Sequence, residues 1–94
     1  MINRIVKMTF KEDHVEDFLN YFPEIVNQIE ARKGCHNVEL FHDIKDKRIF
    51  FTYSKWESEK DLNAYRNSEL FGKVWPKVKK WFDDKPEAWS VDPV

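Results

Sequence analysis

The run from Arg48 to Ser58 constrains the fold more than any other stretch of the chain. Its β-branched and aromatic residues favour a strand. Large side chains fall on both faces of that strand, with Ile49, Phe51 and Tyr53 on one and Phe50, Thr52, Ser54 and Trp56 on the other. Ser58 has Asp61 three positions further on, a spacing typical of a capped helix start. The run therefore predicts a strand buried on both faces that leads directly into a helix.

The first third of the chain predicts a strand followed by a helix. Alternation over Ile2–Phe10 places apolar side chains on one face, interrupted only by Arg4. From Val15 to Lys33 apolar residues recur every three or four positions, which is typical of an amphipathic helix. Pro23 predicts a kink or one lost backbone hydrogen bond within it. Gly34 then supplies the left-handed residue that often ends a helix.

A hairpin and a short helix occupy the middle of the chain. Alternation predicts a second strand over Cys35–Ile44, and the polar turn Lys45–Lys47 is short enough to pair it with the strand of the Arg48 run. The helix that follows is predicted over Glu59–Arg66.

The last third predicts one more helix and one more strand. Ser68 is typical of a helix cap, but Pro76 lies within the apolar stripe that follows, so a bend or a late start near Pro76 is expected. Ala88–Val91 is predicted as a short strand with Trp89 buried.

This order of elements predicts an α+β, ferredoxin-like fold, βαββ(αα)β, for residues 1–94 as one domain. Its four-stranded antiparallel sheet would carry helices on one face. The other face still bears large side chains, and one layer of helices cannot cover both faces. We therefore expect a homodimer that pairs through the open sheet face.

Composition excludes several classes of partner. The net charge of −1, from 16 basic and 17 acidic residues, argues against a nucleic-acid surface. No apolar run approaches the ~20 residues that a membrane span requires. The single cysteine excludes an internal disulfide and, together with an N-terminus unlike a signal peptide, leads us to expect a cytoplasmic protein.

Motifs of common enzyme classes are missing from the sequence. The three histidines are scattered and the one cysteine has no metal-ligand spacing, so no metal site is predicted. Two glycines are too few for a phosphate-binding loop, and no Ser-His-Asp pattern occurs. Nucleotide-dependent, zinc-dependent and acyl-transfer enzymes are therefore poor interpretations.

Three segments together resemble the antibiotic biosynthesis monooxygenase (ABM) domain family: Lys33–Cys35, Tyr53–Ser58 and Ala64–Phe71. They correspond to that family's first helix ending at Gly-Cys, its strand closing on Trp-Glu-Ser, and its helix break at Ser-Glu-x-Phe. The resemblance covers nearly the whole chain. It implies ferredoxin-like domains that pair into a dimeric α+β barrel.

The resemblance implies several kinds of activity. Some members oxidise polycyclic aromatic compounds with oxygen and no metal or flavin, some degrade haem, and some process small signalling molecules. This chain has Tyr65 where many members have His, and Ser54 where an acid often stands. Trp75 occupies the position matched to the axial His of the haem-degrading branch, whereas Trp56 is retained. Haem binding or degradation is therefore the least favoured activity.

Under the resemblance, the chain is expected to be a cofactor-independent monooxygenase that acts on a small aromatic or quinol-like substrate. His42 or Tyr65 would handle the proton, and Arg66 would stabilise the substrate anion. The substrate would be held by aromatic walls and a few polar groups, namely Tyr53, Ser54, Trp56, Asn63 and Trp75.

Structural interpretations of these residues compete with the catalytic ones. Trp81 and Trp89 are better explained as core or dimer interface, whereas neither interpretation is favoured for Trp56 and Tyr65. His42 shares a strand face with apolar residues and is more often a hydrogen-bonded interior histidine than a base.

Arg66 is itself more often a solvated charge at a helix end. The alternative function is a non-catalytic dimer that binds or senses a small ligand.

Overall fold

The observed elements follow the predicted order in the computed structural model, which describes residues 1–94. Strand β1 (Ile2–Thr9) leads through a 3₁₀ turn (Glu12–His14) into helix α1 (Val15–Glu30). The remaining elements are β2 (Cys35–His42), β3 (Ile49–Trp56), α2 (Glu59–Arg66), α3 (Glu69–Lys79) and β4 (Glu87–Val91). None of the helices is both long and apolar enough to cross a membrane.

The four strands form one antiparallel sheet in the order β2-β3-β1-β4. Cross-strand partners share a face of a sheet, so the register defines two faces. The inner face bears buried side chains of the strands, including Met8, Val38, Phe50 and Trp56, and helices α1, α2 and α3 pack against it. The predicted α+β, ferredoxin-like fold with helices on one face is confirmed.

Helix α1 ends earlier than predicted, at Glu30 instead of Lys33. Pro23 lies within α1 without ending it. Gly34 has φ of 82°, as its predicted role at the helix end requires. A Cβ atom on Gly34 would overlap the carboxylate of Asp61, and the Gly34 carbonyl accepts a hydrogen bond from the Glu57 backbone N–H at 2.7 Å. Glycine at this position therefore lets the end of α1 lie against the start of α2.

The predicted late start of the last helix is wrong. Helix α3 begins at Glu69 and continues through Pro76 to Lys79. The Ser68 hydroxyl caps it by accepting a hydrogen bond from the Phe71 N–H. Val74 and Val78, on either side of Pro76, are both buried. Burying each contributes about 1.5–3 kcal/mol, which offsets the ~3 kcal/mol that an internal proline costs a helix.

The other face of the sheet, which we call the outer face, is not covered by any element of the chain. Its apolar side chains are Ile5, Phe41, Ile49, Phe51, Tyr53, Trp89 and Val91. Phe41 is 49% exposed and Trp89 is 43% exposed. The prediction that Trp89 is buried is therefore wrong for a single protomer, because Trp89 pairs with Ile5 on this uncovered side.

Candidate functional site

A cavity of about 290 Å³ lies between the inner face of the sheet and the three helices. All four strands and all three helices contribute to its lining. Six aromatic side chains form much of the wall: Phe18, Phe22, Trp56, Tyr65, Phe71 and Trp75. An apolar cavity of about 150 Å³ accommodates benzene, so this one has room for a flat ligand of one or two rings.

The wall beside α2 and α3 is a continuous series of aromatic contacts. The ring of Trp56 stacks on Tyr65 with centroids 5.1 Å apart. Tyr65 meets Phe71 edge to face at 5.2 Å, and Phe71 stacks on Trp75 at 5.7 Å. Because each ring is in contact with the next, the wall is held in one arrangement before any ligand enters.

Trp56 and Ser54 are joined inside the cavity. The indole of Trp56 is 1% exposed, and its Nε1–H donates to the hydroxyl of Ser54 at 3.0 Å. Both residues are on the inner face of β3, two positions apart, as alternation predicts. The hydrogen bond satisfies the buried indole N–H and fixes the plane of the ring.

Tyr65 reaches the cavity from α2, whose start is fixed by the Ser58 hydroxyl accepting from the Asp61 N–H. The carbonyl of Tyr65 in turn accepts from the Ser68 hydroxyl at 2.6 Å. Burial raises the pKa of Tyr65 to about 12, and the adjacent Cys35 thiol adds to the effect. The phenol is therefore protonated at neutral pH and can donate a hydrogen bond to a ligand.

Arg66 and Asn63 form a pair at the end of α2. Arg66 lines the cavity from an exposed position, and its Nη2 donates to the side-chain oxygen of Asn63. Asn63 itself is outside the lining. Asn63 therefore contributes to the site only indirectly, by holding the guanidinium of Arg66 in position.

Arg4 is a lining residue that the sequence analysis did not select. It lies on the inner face of β1, and its Nη1 donates to the Ser90 hydroxyl at 3.0 Å. Burial lowers the pKa of Arg4, and the nearby charge of Arg66 lowers it further. The signal was present in the sequence, because Arg4 is the polar interruption in the otherwise apolar face of β1.

The structure brings together five of the eight predicted site residues: Ser54, Trp56, Tyr65, Arg66 and Trp75. His42 lies outside the cavity, exposed at the end of β2 with its ring 6.0 Å from that of Phe50. Tyr53 lies on the outer face, where its hydroxyl donates to the Asn3 side chain at 2.7 Å. Neither side chain can touch a ligand held within the cavity of its own protomer.

The donor groups of the cavity do not fit a haem or a metal ion. No cluster of three His, Cys, Asp or Glu side chains occurs in the protein. The three histidines all lie outside the cavity lining. The lining therefore offers no imidazole or thiolate to haem iron, and Tyr65 is its one phenol.

Comparisons with known proteins agree with this architecture. The model of the family described as antibiotic biosynthesis monooxygenase matches residues 1–76. No match is found among curated proteins.

Several solved structures share the fold. An antibiotic biosynthesis monooxygenase superposes with a TM-score of 0.93 at 21% identity, over 100% of this chain and 99% of the other. A conserved protein from Methanosarcina mazei Go1 gives a TM-score of 0.90 at 19% identity, over 96% and 89% of the two chains. A Nitrosomonas europaea protein named for the same family gives 0.90 at 18% identity, over 100% and 99%. At these identities the likeness establishes the fold.

Proposed function

Since the chain belongs to the antibiotic biosynthesis monooxygenase family, we propose that it is a cofactor-independent monooxygenase acting on a small aromatic or quinol-like substrate. The observation that supports this most directly is the 290 Å³ cavity, whose largely aromatic wall contains a protonated phenol and a guanidinium. Such a wall favours a flat apolar ring, while the two polar groups can orient its oxygen atoms.

The reaction needs no cofactor because the substrate supplies the electrons. A substrate carbon that has lost a proton gives electrons to dioxygen and forms a carbon–oxygen bond, which becomes a hydroperoxide on protonation. Loss of water then breaks the oxygen–oxygen bond and leaves a carbonyl group. One oxygen atom enters the product and the other leaves in water, and the electrons lost by the carbon equal those gained by dioxygen.

The residues of the cavity suit distinct parts of this sequence. Arg66 stabilises the substrate anion, because a positive charge near a developing negative one lowers the energy of the charged state. Tyr65 donates a proton or hydrogen bond to the peroxide oxygen, a role that its raised pKa favours over proton removal. Trp56 and Trp75 form walls that limit the access of water.

The second candidate function is a dimer that binds or senses a small ligand without turnover. One observation favours it: no carboxylate or histidine lines the cavity of the protomer. Proton removal from a weakly acidic substrate would then lack a base.

We further propose that two protomers pair through their outer faces. Support comes from the exposed apolar side chains of Phe41, Trp89 and Val91 on that face, a large patch for an uncovered sheet. The reducing compartment that a single cysteine favours supports a cytoplasmic location for this dimer.

Oxygen uptake with a panel of hydroxyquinols tests the catalytic proposal. Tyr65→Phe keeps the ring that stacks on Trp56 and removes only the hydroxyl, so we expect kcat to fall by about 10²-fold or more while the substrate Kd changes little. Tyr53→Phe is the matched control, because it removes a hydroxyl that lies on the outer face.

The outcomes separate the candidate functions. Saturable quenching of tryptophan fluorescence by the same compounds, with no oxygen uptake, would favour the binding protein over the enzyme. An unchanged kcat in Tyr65→Phe would contradict the role given to its hydroxyl. A Soret band on addition of hemin would contradict the exclusion of haem.

A further inference from the structure

The cavity contains two positive charges and no negative one. Arg4 and Arg66 are the only charged side chains in its lining. The ion pairs of the protein involve Lys7, His14, His36 and Arg48 with acidic partners, and neither cavity arginine takes part in one. The chain has 17 acidic residues, but none of them forms an ion pair with Arg4 or Arg66.

Each guanidinium is held in place by a neutral group. Arg4 donates to the Ser90 hydroxyl at 3.0 Å, and Arg66 donates to the amide oxygen of Asn63. A hydroxyl and an amide orient a guanidinium without cancelling its charge. Each guanidinium carries five N–H donors, so donors are left over for a ligand.

The two charges also act on each other. The charge of Arg66 contributes to the lowered pKa of Arg4, with burial as the larger cause. Two like charges beside an apolar wall repel each other, and an anion placed between them would relieve that repulsion.

We propose that the cavity binds a small aromatic ligand that is already ionised, with its carboxylate or phenolate oxygens held by Arg4 and Arg66 and its rings against Trp56 and Trp75. This inference rests on the proposed function and names the substrate class for the same cavity. Arginine suits such a ligand because its planar fork matches two oxygens of an oxyanion at once.

A phenolate substrate also removes the need for a base in the cavity. Its negative charge is shared with the ring carbons, so no further proton has to leave before a ring carbon reacts with dioxygen, and the two arginines hold the ligand in the charged form. The missing base, which favours a binding protein over an enzyme when the substrate is neutral, is then compatible with catalysis.

A matched pair of probes tests the charge. We expect 2-naphthoate to bind about tenfold tighter than 2-naphthamide, which has the same shape without the charge, because hydrogen bonds between ions exceed those to neutral groups by about that factor. Titration calorimetry measures both affinities. Arg4→Gln and Arg66→Gln should each reduce the preference to about threefold or less.

Controls separate charge at the site from charge on the surface. Lys7 lies on the same strand as Arg4 but on the outer face. Lys7→Gln should therefore keep the full preference for 2-naphthoate over 2-naphthamide. Arg66 is exposed at a helix end, so Arg66→Gln keeps the test valid if Arg4→Gln fails to fold. Arg4→Lys, which keeps the charge and loses the fork, should retain part of the preference.

Each further result overturns a defined claim. Equal binding of the two probes would overturn the anionic ligand while leaving the aromatic cavity and the proposed function intact. A preference that survives the Arg4→Gln/Arg66→Gln double substitution would overturn the assignment to these residues. Failure of both probes to bind at millimolar concentration would overturn this inference together with the ligand cavity.

Discussion

At the scale of single residues, the stabilities contributed by Ser54 and Trp56 are coupled, because the indole N–H of Trp56 is buried away from water and donates to the Ser54 hydroxyl. Ser54→Ala leaves that buried donor without an acceptor, so we expect a loss of about 1–3 kcal/mol in the free energy of unfolding. In a Trp56→Phe background the same change should have little effect, since the donor is already absent. Urea denaturation of the four proteins in this cycle measures the coupling, and additive losses would contradict the hydrogen bond.

The raised pKa of Tyr65 predicts that the free energy of unfolding falls at alkaline pH. Its pKa is about 12 in the folded protein against 10.0 ordinarily, so the folded state holds this proton more tightly than the unfolded state does. The resulting contribution, about 2–3 kcal/mol, is fully present below pH 10 and is lost as the pH rises through 12. Spectrophotometric titration of tyrosinate should show a tyrosine that ionises near pH 12. That tyrosine should be absent from Tyr65→Phe and present in Tyr53→Phe.

At the scale of elements, replacing each of the two glycines by alanine should change the stability of the protein in opposite directions. Gly34→Ala forces a side chain onto a positive φ and against Asp61, which should destabilise the protein by about 1–3 kcal/mol. Gly72 is inside α3 with open space around it, so Gly72→Ala should stabilise by about 0.5–1 kcal/mol. Thermal unfolding followed by circular dichroism compares them, and a stabilised Gly34→Ala would contradict the close approach of α1 and α2.

Local patterns predicted most elements because they record which residues can be buried together. Alternation gave the strands of the hairpin, and the cap at Ser58 gave the start of α2. The cap of α3 at Ser68 is confirmed, but the late start near Pro76 is wrong, because Pro76 opposes a helix locally whereas the burial of Val74 and Val78 depends on the sheet packed beneath them. Tertiary packing outweighed the local preference.

The same limit applies to the site. Trp56 and Tyr65 could be predicted because they belong to one strand-to-helix segment. Arg4 and Arg66 come together only through the antiparallel pairing of β1 with its neighbours, which no local spacing reveals. For His42, alternation indicates the face of β2 but not how far along the sheet the cavity extends.

At the scale of the whole molecule, the outer face predicts the oligomeric state. Phe41→Glu places a charge among the exposed apolar side chains there and should shift a dimer toward monomer in sedimentation equilibrium. Ile44→Glu is the matched control, since Ile44 is 88% exposed in the hairpin turn beyond the end of β2. A monomeric wild type at micromolar concentration would contradict the pairing.

The placement of the four tryptophans gives the protein its own set of optical reporters. Trp56 and Trp75 belong to the wall of the cavity, so their emission should respond to an entering ring. Trp89 is on the outer face, where contact with a second protomer would shift its emission to shorter wavelength. Trp81 contacts Tyr21 on α1, away from both surfaces. Single-tryptophan variants can therefore follow ligand entry and subunit pairing separately, without an attached dye.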